Sequence, residues 1–216
     1  SNHWYYEVFK LLEENNIGWN FWTHKKVDKI TSPYSALVTP QYQVIIDYLR
    51  GAIAQPDPNI AGMGLTSFAN SLKIENCITR PGVIASLTDP EYGEISKPYT
   101  THSIPGTIPA AYYDIGARGL SYSDSDYWND GDGGYNDGWV FRNDGVDVEG
   151  SDDDPNIPYT VGWTEAGEWL GYTIEDVSPG TYEVSFSISA PDAGGIFFAQ
   201  LSGQNLGVID VPATGG

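Results

Sequence analysis

A single cysteine, Cys77, stands among 216 residues, so no internal disulfide can form. Cysteine usage therefore neither supports nor opposes an oxidising compartment. Methionine also occurs once. Positive charge is scarce: 10 Lys+Arg face 29 Asp+Glu, a net charge of −19. A surface of that sign repels phosphate backbones, which sets nucleic acid aside as a partner. No apolar run approaches the roughly 20 residues of a spanning helix, so no membrane partner is expected. The deficit of base is uneven. From Ala110 onward 19 Asp+Glu oppose 2 Lys+Arg, whereas the first 109 residues carry 10 against 8. A nearly neutral half is joined to a strongly acidic one, which suits a neutral polysaccharide or bound divalent cations.

What the chain does have is 15 tyrosines, 7 tryptophans and 25 glycines, a mixture suited to β-rich surfaces with aromatic platforms. The informative stretch is Tyr159 to Ile174, YTVGWTEAGEWLGYTI. From Gly167, Leu170, Tyr172 and Ile174 fall on one face of a strand, and Trp169, Gly171 and Thr173 on the other. After the turn signal Ser178-Pro179-Gly180, Tyr182, Val184, Phe186 and Ile188 alternate with Glu183, Ser185, Ser187 and Ser189, a strand with one buried face. Trp169 then stands on the polar face, where a core does not need it. Trp163 lies in a Gly-flanked loop before the strand. An exposed ring with small or polar neighbours suits a sugar, whose apolar face stacks while its hydroxyls seek polar groups.

The first half reads differently. Trp4 to Asn15 carries apolar residues at helical spacing, and Asn15-Asn16 ends it. Ile17 to Trp22, IGWNFW, is a short apolar run expected to be a buried strand. Thr39-Pro40 marks a helix start, Tyr42, Ile45, Ile46 and Leu49 form its stripe, and Gly51 closes it. Thr66 to Cys77 has helical spacing, and Pro81 starts a further short helix through Leu87. Helix, strand, loop, helix is the closing pattern of an α/β barrel. Asp89 to Pro105, rich in Pro, Gly, Ser and Thr, reads as a linker.

Two family resemblances follow from these residues. VGWTEAGEWLGYT, with GVDVEG (Gly145 to Gly150) and SPGTYEVSFSISA (Ser178 to Ala190), resembles carbohydrate-binding module family 6. That resemblance covers Ile104 to Gly216 and implies a jelly-roll-like β-sandwich that binds β-glucans, xylans and related glycans. SNHWYYEVFKLLEENNIGWNFWTHKK resembles the end of glycoside hydrolase family 5, (β/α)8 enzymes that cleave β-glycans with retention. The implied layout is a barrel fragment with helical extension over 1–89, a linker over 90–104 and a sandwich over 105–216. Trp22 matches the tryptophan that floors a sugar subsite, and Lys25 follows where some members touch a neighbouring sugar. Trp163 matches the first aromatic of the module's main cleft, and Trp169 that of a second cleft. The chain reads as a piece of a longer, secreted or cell-surface protein.

The same resemblance places both catalytic glutamates upstream of Ser1. Retaining glycosidases need two carboxyl groups about 5–5.5 Å apart, and the glutamates of the first helix (Glu7, Glu13, Glu14) are better explained by solvation. The intact parent is thus expected to be an endo-β-1,4-glucanase-like hydrolase, and this chain alone an inactive binder. The acidic stretch Asp124 to Asp137 fails the EF-hand pattern, since positions 5 and 12 from Asp124 are Trp128 and Tyr135. It is read as a turn-rich loop. Family 6 modules commonly hold a structural calcium through a glutamate; Ala111 falls at that position, so no metal ligand is assigned and no cofactor is required for catalysis. The alternatives are a non-catalytic carbohydrate-binding protein or a calcium-dependent adhesion module.

Overall fold

A computed structural model describes residues 1–125 and 136–215. Its contacts group into two units, Ser1–Ser178 and Pro179–Gly216. The first unit opens with α1 (Asn2–Glu14), whose start is capped by Ser1 Oγ accepting from Trp4 N at 3.3 Å. Its Tyr6 is buried against Tyr92, ring centroids 5.3 Å apart. Then come β1 (Lys25–Val27), β2 (Tyr34–Ala36), α2 (Pro40–Leu49), α3 (Pro58–Ser71), β3 (Ile78–Thr79) and α4 (Pro81–Thr88). Thr39 caps α2 as its sequence implies, Oγ1 accepting from Tyr42 N at 3.3 Å, and Gly51 follows with φ +75°. The α2 and α3 helices pack through stacked Tyr42 and Phe68 rings, 4.1 Å apart.

The three strands form one mixed sheet in the order β1-β2-β3, parallel then antiparallel. The expected buried strand over Ile17 to Trp22 does not form. Ile17 is exposed, while Trp19 leaves the chain path to lie on Phe9 of α1, centroids 4.0 Å apart. An apolar run becomes a strand only where another strand accepts its hydrogen bonds, and here α1 takes its rings instead. No barrel segment is evident among the described residues; helices around a three-stranded sheet occupy the stretch where one was expected.

The stretch read as a linker packs. Tyr92 is 2 % exposed, Lys97 N donates to Ile115 O at 2.9 Å, and Tyr6, Tyr92, Ile115 and Ala117 form one apolar cluster. Proline and glycine mark turns there, but one tyrosine supplies enough apolar area to hold the segment down. Further on lie β4 (Ser103–Ile104), β5 (Tyr122–Ser123), β6 (Val148–Gly150), β7 (Tyr159–Val161), β8 (Trp169–Leu170) and β9 (Asp176–Val177). They pair two by two: β4 with β9, β5 with β8, β6 with β7. Between them Ala111, Tyr113, Tyr122, Val146 and Val148 are buried, with Leu170 and Tyr172 packed alongside, as the alternation of that strand implied.

A polar network runs through this core. Arg142 donates to Asp144, to the Tyr113 carbonyl and to the Asp114 carbonyl, and the Tyr113 hydroxyl donates to Asp144. Asp114 in turn accepts from Thr173 N at 2.8 Å, Thr173 Oγ1 at 2.6 Å and Ser96 Oγ at 2.9 Å. Burial pulls the Arg142 guanidinium down, but Tyr113 and Asp144 outweigh it and hold the group above its ordinary value.

The second unit is a hairpin, β10 (Gly195–Leu201) antiparallel to β11 (Gln204–Val211). Its two-residue turn, Ser202 at φ +50° and Gly203 at φ +77°, has the twist that favours tight hairpins. Residues 181–190 pair in no ladder, although Phe186 meets Phe197 edge-on at 4.9 Å and Thr214 N donates to Ala190 O. The buried face expected there is open: Val184 is 60 % and Phe186 45 % exposed. Alternation fixes which residues share a face, not whether anything covers it.

Candidate functional site

The site is built around the loop that joins β7 to β8. Strand β7 ends at Val161, and Gly162 N donates to Asp147 O at 3.1 Å. Trp163 then takes φ +47°, a left-handed conformation that a bulky residue rarely adopts, and its side chain is 51 % exposed. At the other end Trp169 lies on β8 opposite Ser123 of β5, with 43 % of its surface exposed. No ring contact covers either indole among the described residues.

The residues between the two indoles are tied to each other. Glu165 N donates to Glu168 Oε2 at 2.8 Å, which folds the loop back on itself. Ser125 N donates to Glu168 Oε1 at 3.0 Å. Ser125 Oγ lies 2.9 Å from Glu165 Oε2 and 2.9 Å from Glu168 Oε1, so its one proton serves either carboxylate. The result is a pair of acceptor groups, one exposed and one half-buried, that lie in sequence between two exposed rings. Chemically this combination stacks on a sugar face and accepts hydrogen bonds from its hydroxyls.

Of the residues expected to bind sugar, Trp163 and Trp169 share this loop. Trp22 and Lys25 do not. Trp22 is 90 % exposed just before β1, while Lys25 Nζ donates to the Leu72 carbonyl at the end of α3 at 2.5 Å. No hydrogen bond or ring contact among the described residues joins either to the Trp163–Trp169 loop. The partners that sequence reading did not place are Ser125, Glu165 and Glu168. The Glu-x-x-Glu spacing between the tryptophans was the available signal, but the serine comes from 40 residues away.

Ala111, at the position where the resemblance would place a calcium ligand, is fully buried in the apolar cluster and offers no side-chain oxygen. Among the described residues no three His, Cys, Asp or Glu side chains are grouped to hold a metal ion. Most of the acidic stretch Asp124 to Asp137, residues 126–135, lies outside the described residues; Asp124 itself is buried.

Residues 142–216 match a family described as carbohydrate binding module (family 35). The likeness to a carbohydrate-binding module therefore stands, with family 35 in place of the family 6 expected from the signature segment. The matched span contains Trp163, Glu165, Glu168 and Trp169, whereas Ser125, Trp22 and Lys25 fall outside it. No curated protein matches the chain, and no solved structure does.

Proposed function

We propose that the chain binds a polysaccharide, with the loop from Trp163 to Trp169 as the contact surface. One observation carries this reading: two exposed indoles stand in sequence on either side of two glutamates, inside the span that matches a carbohydrate-binding module, and Ser125 gathers both carboxylates. Two exposed tryptophans cost a protein solubility unless something covers them, and a sugar ring covers an indole with its C–H face. The finer identity of the ligand, a β-glucan or related plant or algal glycan, is part of the proposal.

The test is electrophoresis in native gels containing soluble β-glucan. Retardation of the wild type, relieved in Trp163→Ala, supports the loop. Retardation untouched by both Trp163→Ala and Trp169→Ala removes it.

A wider reading is also proposed: residues 1–89 come from a secreted glycoside hydrolase whose module holds it on its substrate. What favours this is the 90 % exposure of Trp22 within the segment that resembles family 5, since a tryptophan so placed contributes nothing to a core. The competing reading is a binder without chemistry, favoured by the missing strand over 17–22. Two strand-end glutamates in the reading frame preceding Ser1 would support the hydrolase, and their absence the binder.

A further inference from the structure

Helix α4 starts without a side-chain cap: Arg80, at the capping position, makes no such bond, and Pro81 has no N–H. The N–H groups of Gly82 and Val83 are the first donors of that helix end. Both residues line a cavity of about 10 Å³ together with Asn2, Arg80 and Asn143. A Cβ on Gly82 would come within 2.8 Å of Asn2 Nδ2, so only glycine lets the Asn2 amide lie against this first turn.

Two polar atoms of the lining residues are buried without a partner. Arg80 Nη1 donates to Phe141 O at 2.9 Å, but Arg80 Nε donates to nothing. No carboxylate pairs with Arg80 among the described residues. Asn143 is 2 % exposed; its Nδ2 donates to Asn2 Oδ1 at 2.9 Å while its Oδ1 is unmatched. Arg142, which lines the same cavity, differs in having its counter-charge in Asp144 at 3.0 Å.

We propose that this cavity binds one small monovalent anion, of which chloride is the probe, between Arg80, the N-terminus of α4 and Asn143. A half-buried guanidinium without a counter-charge is costly, and an anion removes the cost. The helix end adds positive potential at the same place. Burial pulls the Arg80 guanidinium below its ordinary value, outweighing the opposite effect of Tyr159 and Tyr99, in keeping with a charge that no carboxylate balances. The amides of Asn2 and Asn143 adapt by turning over together. Their bond then runs from Asn2 Nδ2 to Asn143 Oδ1, which gives that oxygen its missing donor and turns Asn143 Nδ2 toward the ion. A space of about 10 Å³ leaves more room for a monatomic ion than for phosphate or sulfate. The ion would join the first turn of α4 to residues 141–143.

Crystals of the whole chain soaked in bromide, measured at the bromine edge, should show an anomalous peak in the cavity beside Arg80 Nε. In solution the chloride NMR signal should broaden with protein and sharpen again when bromide competes. The excess width should fall to the buffer value in Arg80→Met and in Asn143→Asp, which brings a carboxylate into the cavity, with circular dichroism reporting that both variants fold. A cavity without the peak in wild-type crystals, or broadening unchanged in either folded variant, overturns the proposal. Should neither variant fold, the bromide peak in the wild type decides alone.

Discussion

Arg142 Nε lies 3.0 Å from Asp144 Oδ2, with their side chains only 5 % and 2 % exposed. Such a pair adds little net stability over an apolar pair of the same shape, yet breaking it strands a charge in the core. Asp144→Asn and Arg142→Met should therefore each lower the unfolding free energy by about 3–5 kcal/mol in urea titrations. The double substitution should cost less than the sum of the two. Strict additivity would show that the two groups do not stabilise each other.

Burial raises the ionisation of Tyr92, Tyr113 and Tyr172 above the ordinary tyrosine value. The sign follows from linkage: a raised folded value gives stability that is present below the unfolded value near 10 and is lost as pH rises beyond it. Absorbance at 295 nm should show these three ionising only as the far-ultraviolet dichroism is lost. A smooth single titration of all 15 tyrosines in the folded protein would contradict this.

At the opposite end of the scale, the Lys97 ammonium, 2.6 Å from the Asp89 carboxylate, holds that carboxyl below its ordinary value. A lowered value gives stability present above the unfolded value near 4 and lost as pH falls through the folded one. Because Lys97 is 40 % exposed, Lys97→Ala should move the urea midpoint only slightly at neutral pH. The effect should vanish in molar salt and shrink as pH falls into the acid range where Asp89 takes up its proton.

The gathered carboxylates invite a catalytic test. Glu165 and Glu168 reach one hydroxyl, but Glu165 is exposed and Glu168 only half-buried, so neither has the water-excluding surroundings in which acid and nucleophile are set apart. Reducing-sugar release from β-glucan, xylan and mannan by the purified chain should match a no-enzyme control. Turnover abolished in Glu168→Gln would instead place a catalytic site on this loop. Without turnover, Glu168→Gln should weaken glycan retardation by a few-fold, since it keeps the shape and replaces one charged acceptor.

What could be read from the chain was what neighbours in sequence decide. Thr39-Pro40 announces α2 because a cap and a proline act within one turn, and the alternation around Leu170 and Tyr172 places them correctly on the core side. What could not be read was decided by distant partners. Tyr92 turns an apparent linker into packed chain by finding Tyr6, and the run at 17–22 fails as a strand because α1 takes its rings. The site divides the same way: the tryptophans stand out in the sequence, while Ser125, which organises the carboxylates, has no local mark at all.

If Trp163 holds glycan as proposed, its left-handed backbone sets binding against persistence of the fold. A residue with a β-carbon pays about 1 kcal/mol or more to stay there, and glycine does not. Trp163→Gly should melt higher than Trp163→Ala while binding glycan no better, so the pair of variants separates conformational relief from loss of the ring. If that ordering holds, random mutagenesis screened for heat resistance alone would drift toward glycine at this position. It would return proteins that outlast the original and no longer hold its ligand.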